Sequence, residues 1–263
     1  METAGADAGE NLKTTEDDLS ANQKQLNAVC ARPGLDEADA WSCDDMNGRP
    51  QKPVVVWKLG GSVLKLQRSD CNSDSGGRFE RPVWPERFRQ ALKLLEPHRP
   101  LLVVGGGDAA DLVRVWDRCY LLGDEPAHWL ALAALGLNER LVECVLTEAV
   151  RVVSRLEAQA AWEAGRIPVL AAERFVADEE RDGAGSLPHC WDVTSDSVAA
   201  WVAVRWPAQQ LVLLKSTDLE GRSCRQAAEE ELVDPYFVTV SRELKSVKWV
   251  NLRAERLQLE RLI

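Results

Sequence analysis

Short, uninterrupted apolar runs that stop at glycine constrain the fold of this chain more than any other feature of its sequence. The first run, Pro53–Leu59, ends at Gly60-Gly61, and the second, Pro100–Val104, ends at Gly105-Gly106-Gly107. A strand that is buried on both faces of a parallel sheet has such a continuous apolar sequence, because neither face meets water. Both runs therefore predict central strands of a parallel sheet. Three similar runs predict the remaining strands: Ile167–Ala171, Leu211–Lys215 and Lys248–Leu252.

Segments with the period of amphipathic helices separate these strands. We expect helices at Trp84–Glu96, Ala109–Leu122, Ala127–Leu135, Asn138–Glu163 and Ser195–Trp206, and a last helix at the C-terminus. A Ser-, Asp- and Gly-rich stretch at Ser69–Arg81 is typical of a mobile loop. Strands that alternate with helices of this length form right-handed βαβ units. The predicted fold class is α/β, a three-layer αβα sandwich with a mostly parallel central sheet.

Acidic residues are concentrated at the N-terminus. The whole chain has a formal net charge of −10, and residues 1–52 hold 11 acidic and 5 basic side chains, or −6 of that charge. This segment has few aromatic and β-branched residues, so it buries too little apolar surface to offset the entropy of ordering. We therefore predict a disordered acidic tail over residues 1–52 and one folded domain over residues 53–263.

The same composition argues against several kinds of partner and location. The sequence has no basic stripe, which disfavours nucleic acid as a partner, and no apolar run approaches the ~20 residues that cross a bilayer. The N-terminus lacks the basic and apolar regions of a signal peptide. The seven cysteines form no C-x-x-C pair and share no metal-ligand spacing. We expect a cytoplasmic protein without disulfides or structural zinc.

Ligands of parallel α/β sheets bind at the carboxyl ends of the strands, and the first of these ends is chemically unusual. Lys58 stands at the end of its strand, and Gly60-Gly61-Ser62 follows. Glycines let backbone N–H groups approach an anion closely, and a helix N-terminus adds positive potential. An ordinary βα turn would also contain glycine, but the lysine favours contact with a phosphate. The segment is not a Walker A loop, which requires G-x-x-x-x-G-K-[ST].

The second glycine turn admits two interpretations. Gly105-x-Gly107-x-x-Ala110 satisfies the fingerprint G-x-G-x-x-A, which is typical of Rossmann dinucleotide-binding proteins. That fold requires a second strand that ends in an acidic residue about 20 residues further on. Here residues 119–126 have the sequence of a helix end and a loop. The context therefore favours a second oxyanion-binding turn over a Rossmann dehydrogenase.

An acidic residue and a second lysine complete the pattern. Thr194-Ser195-Asp196 opens a predicted helix with Thr194 or Ser195 as its N-cap, and an acid in this first turn is expected of any stable helix. Lys215, however, ends a buried strand, where an unpaired charge is costly, and Asp196 is a candidate partner. Two strand-end lysines, two glycine turns and one acid predict phosphoryl transfer. This chemistry needs positive charge and N–H donors more than a protein nucleophile.

At these residues the sequence resembles the amino acid kinase superfamily, which includes acetylglutamate, aspartate, uridylate and isopentenyl phosphate kinases. The likeness covers roughly Pro53 to the C-terminus. It consists of a K-x-G-G-S strand end, a G-G-G turn, an N-A-D-like helix start and a T-D-V-D-G-like segment. These motifs correspond to Lys58–Ser62, Gly105–Gly107, Thr194–Asp196 and Thr217–Gly221. The resemblance implies the carbamate kinase-like fold, ATP and Mg²⁺ as cofactors, and a homo-oligomer.

The resemblance also implies roles for individual residues. Lys58 and Lys215 would contact the transferring phosphoryl group, and Asp196 would orient them. The nucleotide would be bound by Gly60, Gly61, Ser62, Lys215, Thr217, Asp218 and Gly221. The N–H donors to the phosphoryl group would be those of Gly60, Gly61, Gly105 and Gly106. As a hypothesis beside the resemblance, we expect the small-molecule acceptor to be bound by Gly105, Gly106, Gly107, Arg114 and His128. An exposed helix arginine and a structural histidine are the alternative interpretations of Arg114 and His128.

More narrowly, the sequence resembles a short branch of the superfamily that is linked to methanofuran-type one-carbon metabolism. The similar segments are Gly107–Arg114, Ala127–Trp129, Gly165–Leu170, Trp191–Ser197 and Leu213–Ser216. That branch includes (aminomethyl)furanmethanol phosphate kinase, which implies an ATP-dependent kinase whose oxyanion acceptor is a phosphorylated furan. Two alternative functions remain: a non-catalytic relative that binds nucleotide or oxyanion for storage or regulation, and a Rossmann dinucleotide-binding protein.

Overall fold

The computed structural model of the chain describes residues 52–65, 82–95, 98–183 and 185–263. The acidic segment predicted to be disordered, residues 1–52, lies outside these ranges except for Lys52. The predicted loop at Ser69–Arg81 also lies outside them.

Seven strands within the described residues form one sheet. They are β1 (Val54–Leu59), β2 (Arg99–Val104), β3 (Ala149–Val152), β4 (Ile167–Leu170), β5 (Gln210–Lys215), β6 (Val247–Asn251) and β7 (Glu260–Arg261). Their spatial order is β3-β4-β2-β1-β5-β6-β7, and neighbours are parallel except for the antiparallel pair β6 and β7. β1 lies between β2 and β5, and all of its residues are buried. This central position explains why its sequence is apolar apart from Lys58.

Helices cover both faces of the sheet. In chain order they are α1 (Gly61–Leu64), α2 (Trp84–Leu92), α3 (Gly107–Tyr120), α4 (Asp124–Val145), α5 (Arg155–Glu163), α6 (Ala172–Arg181), α7 (Ser195–Arg205), α8 (Cys224–Glu229) and α9 (Phe237–Val240). Short 3₁₀ turns follow α2 and α9 at Lys93–Leu95 and Ser241–Glu243. In the part of the chain that the structure describes, no helix combines the length and the apolar character needed to span a membrane.

Alternate residues of β1 pack into two cores on opposite faces of the sheet. Val54 and Val56 belong to a core that also contains buried residues of α4 to α9. Val55 and Trp57 belong to a second core that contains buried residues of α1 and α2. This alternation follows from the two-residue period of a strand. The predicted three-layer αβα sandwich with a mostly parallel sheet is confirmed.

The predicted boundaries in the middle of the chain are wrong. The sequence predicts separate helices at Ala127–Leu135 and Asn138–Glu163, whereas one helix, α4, spans Asp124–Val145 and β3 interrupts the second. α4 continues through Gly136, where an added Cβ would meet open space, and a helical glycine costs only about 1 kcal/mol relative to alanine. β3 has four residues, which are too few to disturb the helical period of the surrounding sequence.

The predicted closing helix is also wrong, and the helices α6, α8 and α9 are additions to the prediction. The C-terminal segment instead forms β7 against β6. Leu257 and Leu259 pack against the second core, whereas Leu262 is buried in the first. Because its apolar residues are needed on both sides of the sheet, packing overrides the helical propensity of this segment.

Candidate active site

Three buried charged residues meet where the central strands β1 and β5 end. Lys58 and Lys215 face the core on which α7 packs, and Asp196 lies in the first turn of α7. Lys58 Nζ lies 2.7 Å from Asp196 Oδ1, and Lys215 Nζ lies 2.8 Å from Asp196 Oδ2. The exposed fractions are 3% for Lys58, 5% for Asp196 and 8% for Lys215. The predicted convergence of the two lysines on one carboxylate is confirmed.

The two ammonium groups keep Asp196 ionised. Burial alone would raise the pKa of this carboxyl, but the charges of Lys215 and Lys58 outweigh burial and lower the pKa to about 2. Burial lowers the pKa of Lys215 to about 8, against the attraction of Asp196. At neutral pH the lysine–aspartate trio is therefore a buried centre of net positive charge, and an oxyanion is the ligand that would neutralise it.

A fourth buried residue, Asp234, holds the helix that carries Asp196. Thr194 occupies the predicted N-cap position of α7, but its hydroxyl donates to Asp234 Oδ2 at 2.8 Å instead of capping the helix. The Asp234 carboxylate accepts from the backbone N–H groups of Thr194, Ser197 and Phe237 at distances of 3.0, 2.9 and 3.0 Å. The Ser197 hydroxyl also donates to this carboxylate. Asp234 thus satisfies the first turn of α7 from a remote segment.

The residues just before Asp234 also hold Lys215. The carbonyl of Leu232 accepts from Lys215 Nζ at 2.6 Å. Burial, and then the negative charge of Asp196, raise the pKa of Asp234. Residues 232–234 therefore support both the second lysine and the helix that carries its acidic partner.

The two glycine turns pack directly against each other. A Cβ atom on Gly61 would lie 2.1 Å from the backbone nitrogen of Gly107, and one on Gly105 would lie 2.6 Å from the nitrogen of Gly61. Gly107 also has a φ of +48°, which side chains rarely tolerate. Glycine is thus required for the contact between the ends of β1 and β2, whatever ligand binds there.

Fewer backbone N–H groups are free in these turns than the resemblance implies. The N–H of Gly60 donates to the carbonyl of Leu214, and the N–H of Gly105 donates to the carbonyl of Leu59, each at 2.8 Å. Both groups continue the hydrogen bonding of the sheet, so the expectation that they bind an anion is wrong. Gly106 is instead the N-cap of α3. The first N–H groups of a helix have no intrahelical acceptor, so those of α3 remain as donors.

Asn138, in α4, supports the second glycine turn. Its side-chain amide donates to the carbonyls of Gly105 and Gly106 at 2.7 and 2.8 Å, and the residue is buried. The contact joins residues more than 30 positions apart. The sequence pattern indicates only a helix at Asn138, so the supporting role is apparent only from the structure.

Replacing Asn138 by alanine should lower the free energy of unfolding by about 1–3 kcal/mol, because two buried carbonyls lose their donor. Urea unfolding followed by tryptophan fluorescence measures this change. Asn251→Ala is the matched control, since both side-chain hydrogen bonds of Asn251, to the Asp218 carboxylate and from the Arg253 backbone N–H, are exposed, and we expect a change within about 0.5 kcal/mol. Equal losses in the two variants would contradict the supporting role of Asn138.

A cavity of about 720 Å³ opens beside the lysine–aspartate trio. All three members of the trio line it, together with the turn residues Gly60, Gly61, Gly106 and Gly107 and the apolar residues Ala131, Leu132, Leu135 and Val193. Gly105, predicted to bind the acceptor, is not among the lining residues of the described chain. The lining of the cavity therefore combines positive charge and bare backbone with apolar side chains.

Arg114 and His128, both predicted to bind the acceptor, line the cavity. The guanidinium of Arg114 lies 4.7 Å from the centre of the Trp191 ring, which also lines the cavity, and 3.3 Å from Asp111 Oδ1. Burial, followed by the charge of His189, lowers the pKa of His128 to about 4. The ring of His128 is therefore neutral at pH 7.

The remaining residues predicted to bind the nucleotide fall into two groups. Ser62 and Thr217 line the cavity. Asp218 and Gly221 do not belong to its lining in the described ranges: Asp218 accepts from the Asn251 amide at 2.9 Å, and Gly221 has a φ of +72° beside open space. The structure thus brings the first pair, but not the second, to the cavity.

The sheet argues against the dinucleotide interpretation of the second glycine turn. A Rossmann sheet has the strand order 3-2-1-4-5-6, whereas the order here is β3-β4-β2-β1-β5-β6-β7. The helix α4 occupies the position where an acid-terminated second strand would be required. The fingerprint at Gly105–Ala110 is therefore a coincidence of a glycine turn followed by a helix.

Solved structures of the same fold include two UMP kinases and an aspartate kinase. The UMP kinase from Ureaplasma parvum is 15% identical, with a TM-score of 0.50, over 79% of this chain and 93% of that chain. The UMP kinase from Bacillus anthracis is 14% identical, with a TM-score of 0.50, over 78% and 89%. The aspartate kinase from Synechocystis is 13% identical, with a TM-score of 0.51, over 77% and 38%. At these identities the likeness shows the fold alone.

Sequence comparison identifies the family. A search among curated proteins finds no match. The model of the amino acid kinase family matches residues 53–219, which include both lysines, Asp196 and both glycine turns. Because this match spans more than half of the chain, the protein belongs to the amino acid kinase family.

Proposed function

We propose that the protein is an ATP-dependent kinase that transfers the γ-phosphoryl group to an oxyanion of a small-molecule acceptor. The observation that carries this proposal is the buried trio of Lys58, Asp196 and Lys215 at the wall of the cavity. Two ammonium groups held by one carboxylate leave the trio with one net positive charge. Phosphoryl transfer requires fixed positive charge around the migrating group, since charge spreads over its oxygens in the transition state.

In this proposal Lys58 and Lys215 neutralise charge on the transferring group, and Asp196 keeps both lysines in place. The N-terminus of α3, which borders the cavity at Gly106 and Gly107, adds N–H donors and the positive end of its dipole. Each preorganised donor lowers the barrier by about 3–4 kcal/mol. Both oxygens of Asp196 are already paired with lysines, so the trio does not ligate Mg²⁺. The ion, bound to nucleotide phosphates, would supply further neutralisation of charge.

As the acceptor we propose a phosphorylated furan, on the basis of the resemblance to the methanofuran-linked branch. The cavity wall supports this choice. Trp191, Leu132 and Val193 offer apolar contact for a flat ring, and Arg114 offers a guanidinium fork for a phosphate. An acceptor with one apolar ring and one anionic group therefore matches both parts of the wall.

Release of ADP from ATP and Mg²⁺ in the presence of a phosphorylated furan, UMP or aspartate tests the proposal. We expect ADP release that depends on the acceptor, with the phosphorylated furan giving the greatest rate. Calorimetry with ATP alone provides the complementary measurement. ATP binding without acceptor-dependent ADP release for any acceptor would indicate a non-catalytic nucleotide-binding protein, and it would contradict the proposed kinase activity.

The activity should fall as the pH rises above about 8. Burial lowers the pKa of Lys215 to about 8, so its ammonium form, which carries the charge, is present below this pH and lost above it. The profile of kcat/KM for ATP reports the free enzyme and should show this limb. In the profile of kcat the limb should move to higher pH, because bound phosphates stabilise the ammonium. If kcat/KM of the Lys215→Arg variant still falls at the same pH, the fall belongs to the titration of a group other than Lys215.

A further inference from the structure

A second cluster of polar side chains lies beside the cavity, and phosphoryl transfer as proposed does not require it. It consists of His128 near the start of α4, Glu180 near the end of α6, and His189 in the segment before α7. One ligand atom from each of these three residues lies within 4.8 Å of the other two. Three metal-ligating side chains from three separate segments therefore meet at one point.

His189 has the hydrogen-bonding pattern of a metal-binding histidine. Its Nδ1 lies 2.5 Å from Glu125 Oε2, and its Nε2 lies 2.9 Å from Glu180 Oε1. In metal sites a carboxylate at one ring nitrogen fixes the tautomer and leaves the other nitrogen for the metal. Glu125 is suited to this outer role, because its side chain is mostly exposed whereas that of Glu180 is mostly buried.

His128 contributes the second imidazole. Its ring stacks on that of His189, with centroids 4.0 Å apart and planes inclined by 10°. The residue is 7% exposed, and its Nε2 has no hydrogen-bond partner in the described part of the chain. A buried polar atom without a partner is unfavourable. A cation in the cluster would give the neutral ring of His128 a partner, because neutral imidazole is a common metal ligand.

We propose that His128, Glu180 and His189 bind one Zn²⁺ ion, with Glu125 orienting His189. Two imidazole nitrogens and one carboxylate oxygen form a ligand set that suits zinc, with a fourth position open to water or to a ligand. Zinc–ligand distances are about 2 Å. The bond between His189 Nε2 and Glu180 is therefore replaced by metal bonds when the ion enters, and the stacked rings tilt toward it.

This ion is distinct from the Mg²⁺ that would accompany ATP. Mg²⁺ prefers oxygen ligands and would be held by nucleotide phosphates, whereas imidazole nitrogen favours zinc. Because the three ligands come from α4, α6 and the segment before α7, the ion would link these three segments where His128 lines the cavity. Zinc at a hundredfold excess over its Kd should raise the Tm of the full chain by about 5–10 °C.

Titration of the full chain, after treatment with a chelator and dialysis, with Zn²⁺ in excess Mg²⁺ and without nucleotide tests the site. Calorimetry should show one ion bound per chain, and Co²⁺ should give the visible absorption of a four-coordinate nitrogen and oxygen site without a thiolate band. His189→Ala and His128→Ala should each weaken binding at least a hundredfold. Glu125→Gln should weaken it by about 10–100-fold.

His98→Gln is the matched control, because His98 is the one histidine of the chain outside the cluster and accepts from the Trp57 indole. This variant should bind zinc like the wild-type protein. Circular dichroism of each variant separates loss of the site from loss of the fold, and the exposed position of Glu125 makes Glu125→Gln the variant least prone to misfold. Absence of binding to the wild-type chain, a thiolate band with Co²⁺, or equal affinities in all variants would overturn the proposal.

Discussion

Replacing Lys58 by alanine or methionine should lower kcat for phosphoryl transfer by roughly a hundredfold to a thousandfold. Lys58 provides half of the buried positive charge, and its loss leaves a neutral pair of Asp196 and Lys215. The variant therefore binds nucleotide at a site without the charge that stabilises the transition state. Since this interaction strengthens in the transition state, kcat and kcat/KM should fall together.

Two comparisons make this prediction specific. Lys58→Met keeps most of the apolar stem of the side chain, so its free energy of unfolding should remain close to that of the wild type. Lys245→Ala removes an exposed lysine away from the cavity and should leave the rate unchanged. ADP release in the acceptor assay measures all three variants. A folded Lys58→Met protein with the rate of the wild type would show that the trio does not act on the phosphoryl group.

Asp196→Asn should lower the free energy of unfolding by about 3–5 kcal/mol at pH 7, because it removes the counter-charge that two buried ammonium groups share. The same change removes the group that orients both lysines, so we expect turnover to fall at least roughly a hundredfold. Urea unfolding monitored by fluorescence and the acceptor assay measure the two effects. Asp182→Asn, at an exposed position, is the control and should change stability by less than about 0.5 kcal/mol.

The free energy of unfolding at acidic pH should also distinguish Asp196→Asn from the wild-type protein. The pKa of Asp196 is lowered from 3.8 to about 2 in the folded protein, so its stabilisation is present above pH 4 and lost as the pH falls toward 2. In Asp196→Asn, this loss of stability between pH 4 and pH 2 should be absent. The double variant Lys58→Met/Asp196→Asn should be more stable than Asp196→Asn alone, because one unpaired charge is removed. A double variant that is less stable would contradict the account of the trio.

The sheet and the trio could be predicted because both follow from local properties of the sequence. The central strand β1 is apolar apart from Lys58 near its end, and the two-residue period of a strand places Lys58 on one face of the sheet. The same reasoning applied to Lys215 in β5 predicted a shared partner, and Asp196 was the acid available at a helix start. Because the carboxyl ends of parallel strands lie at the same edge of a sheet, short sequence patterns were enough to predict that the two lysines lie close together.

The parts that the sequence did not predict depend on contacts between distant segments. Asp234 caps α7 from 37 positions beyond Ser197, and Asn138 reaches the turn at Gly105 from 33 positions away. A local pattern does not distinguish such residues from ordinary loop and helix residues. The sequence also did not predict that the N–H groups of Gly60 and Gly105 are used in sheet hydrogen bonds, because their acceptors belong to neighbouring strands.

The tight fit of Gly61 against Gly107 leaves no room for a side chain, so the ends of β1 and β2 form one rigid block. The distance between ligand groups bound at the two glycine turns would then be fixed when the chain folds. A closing movement of the protein could change that distance only slightly. Engineering a new acceptor preference would therefore have to preserve this block and reshape the part of the cavity lining around Arg114, His128 and Trp191. Bulky substitutions in the block would abolish transfer to every acceptor alike.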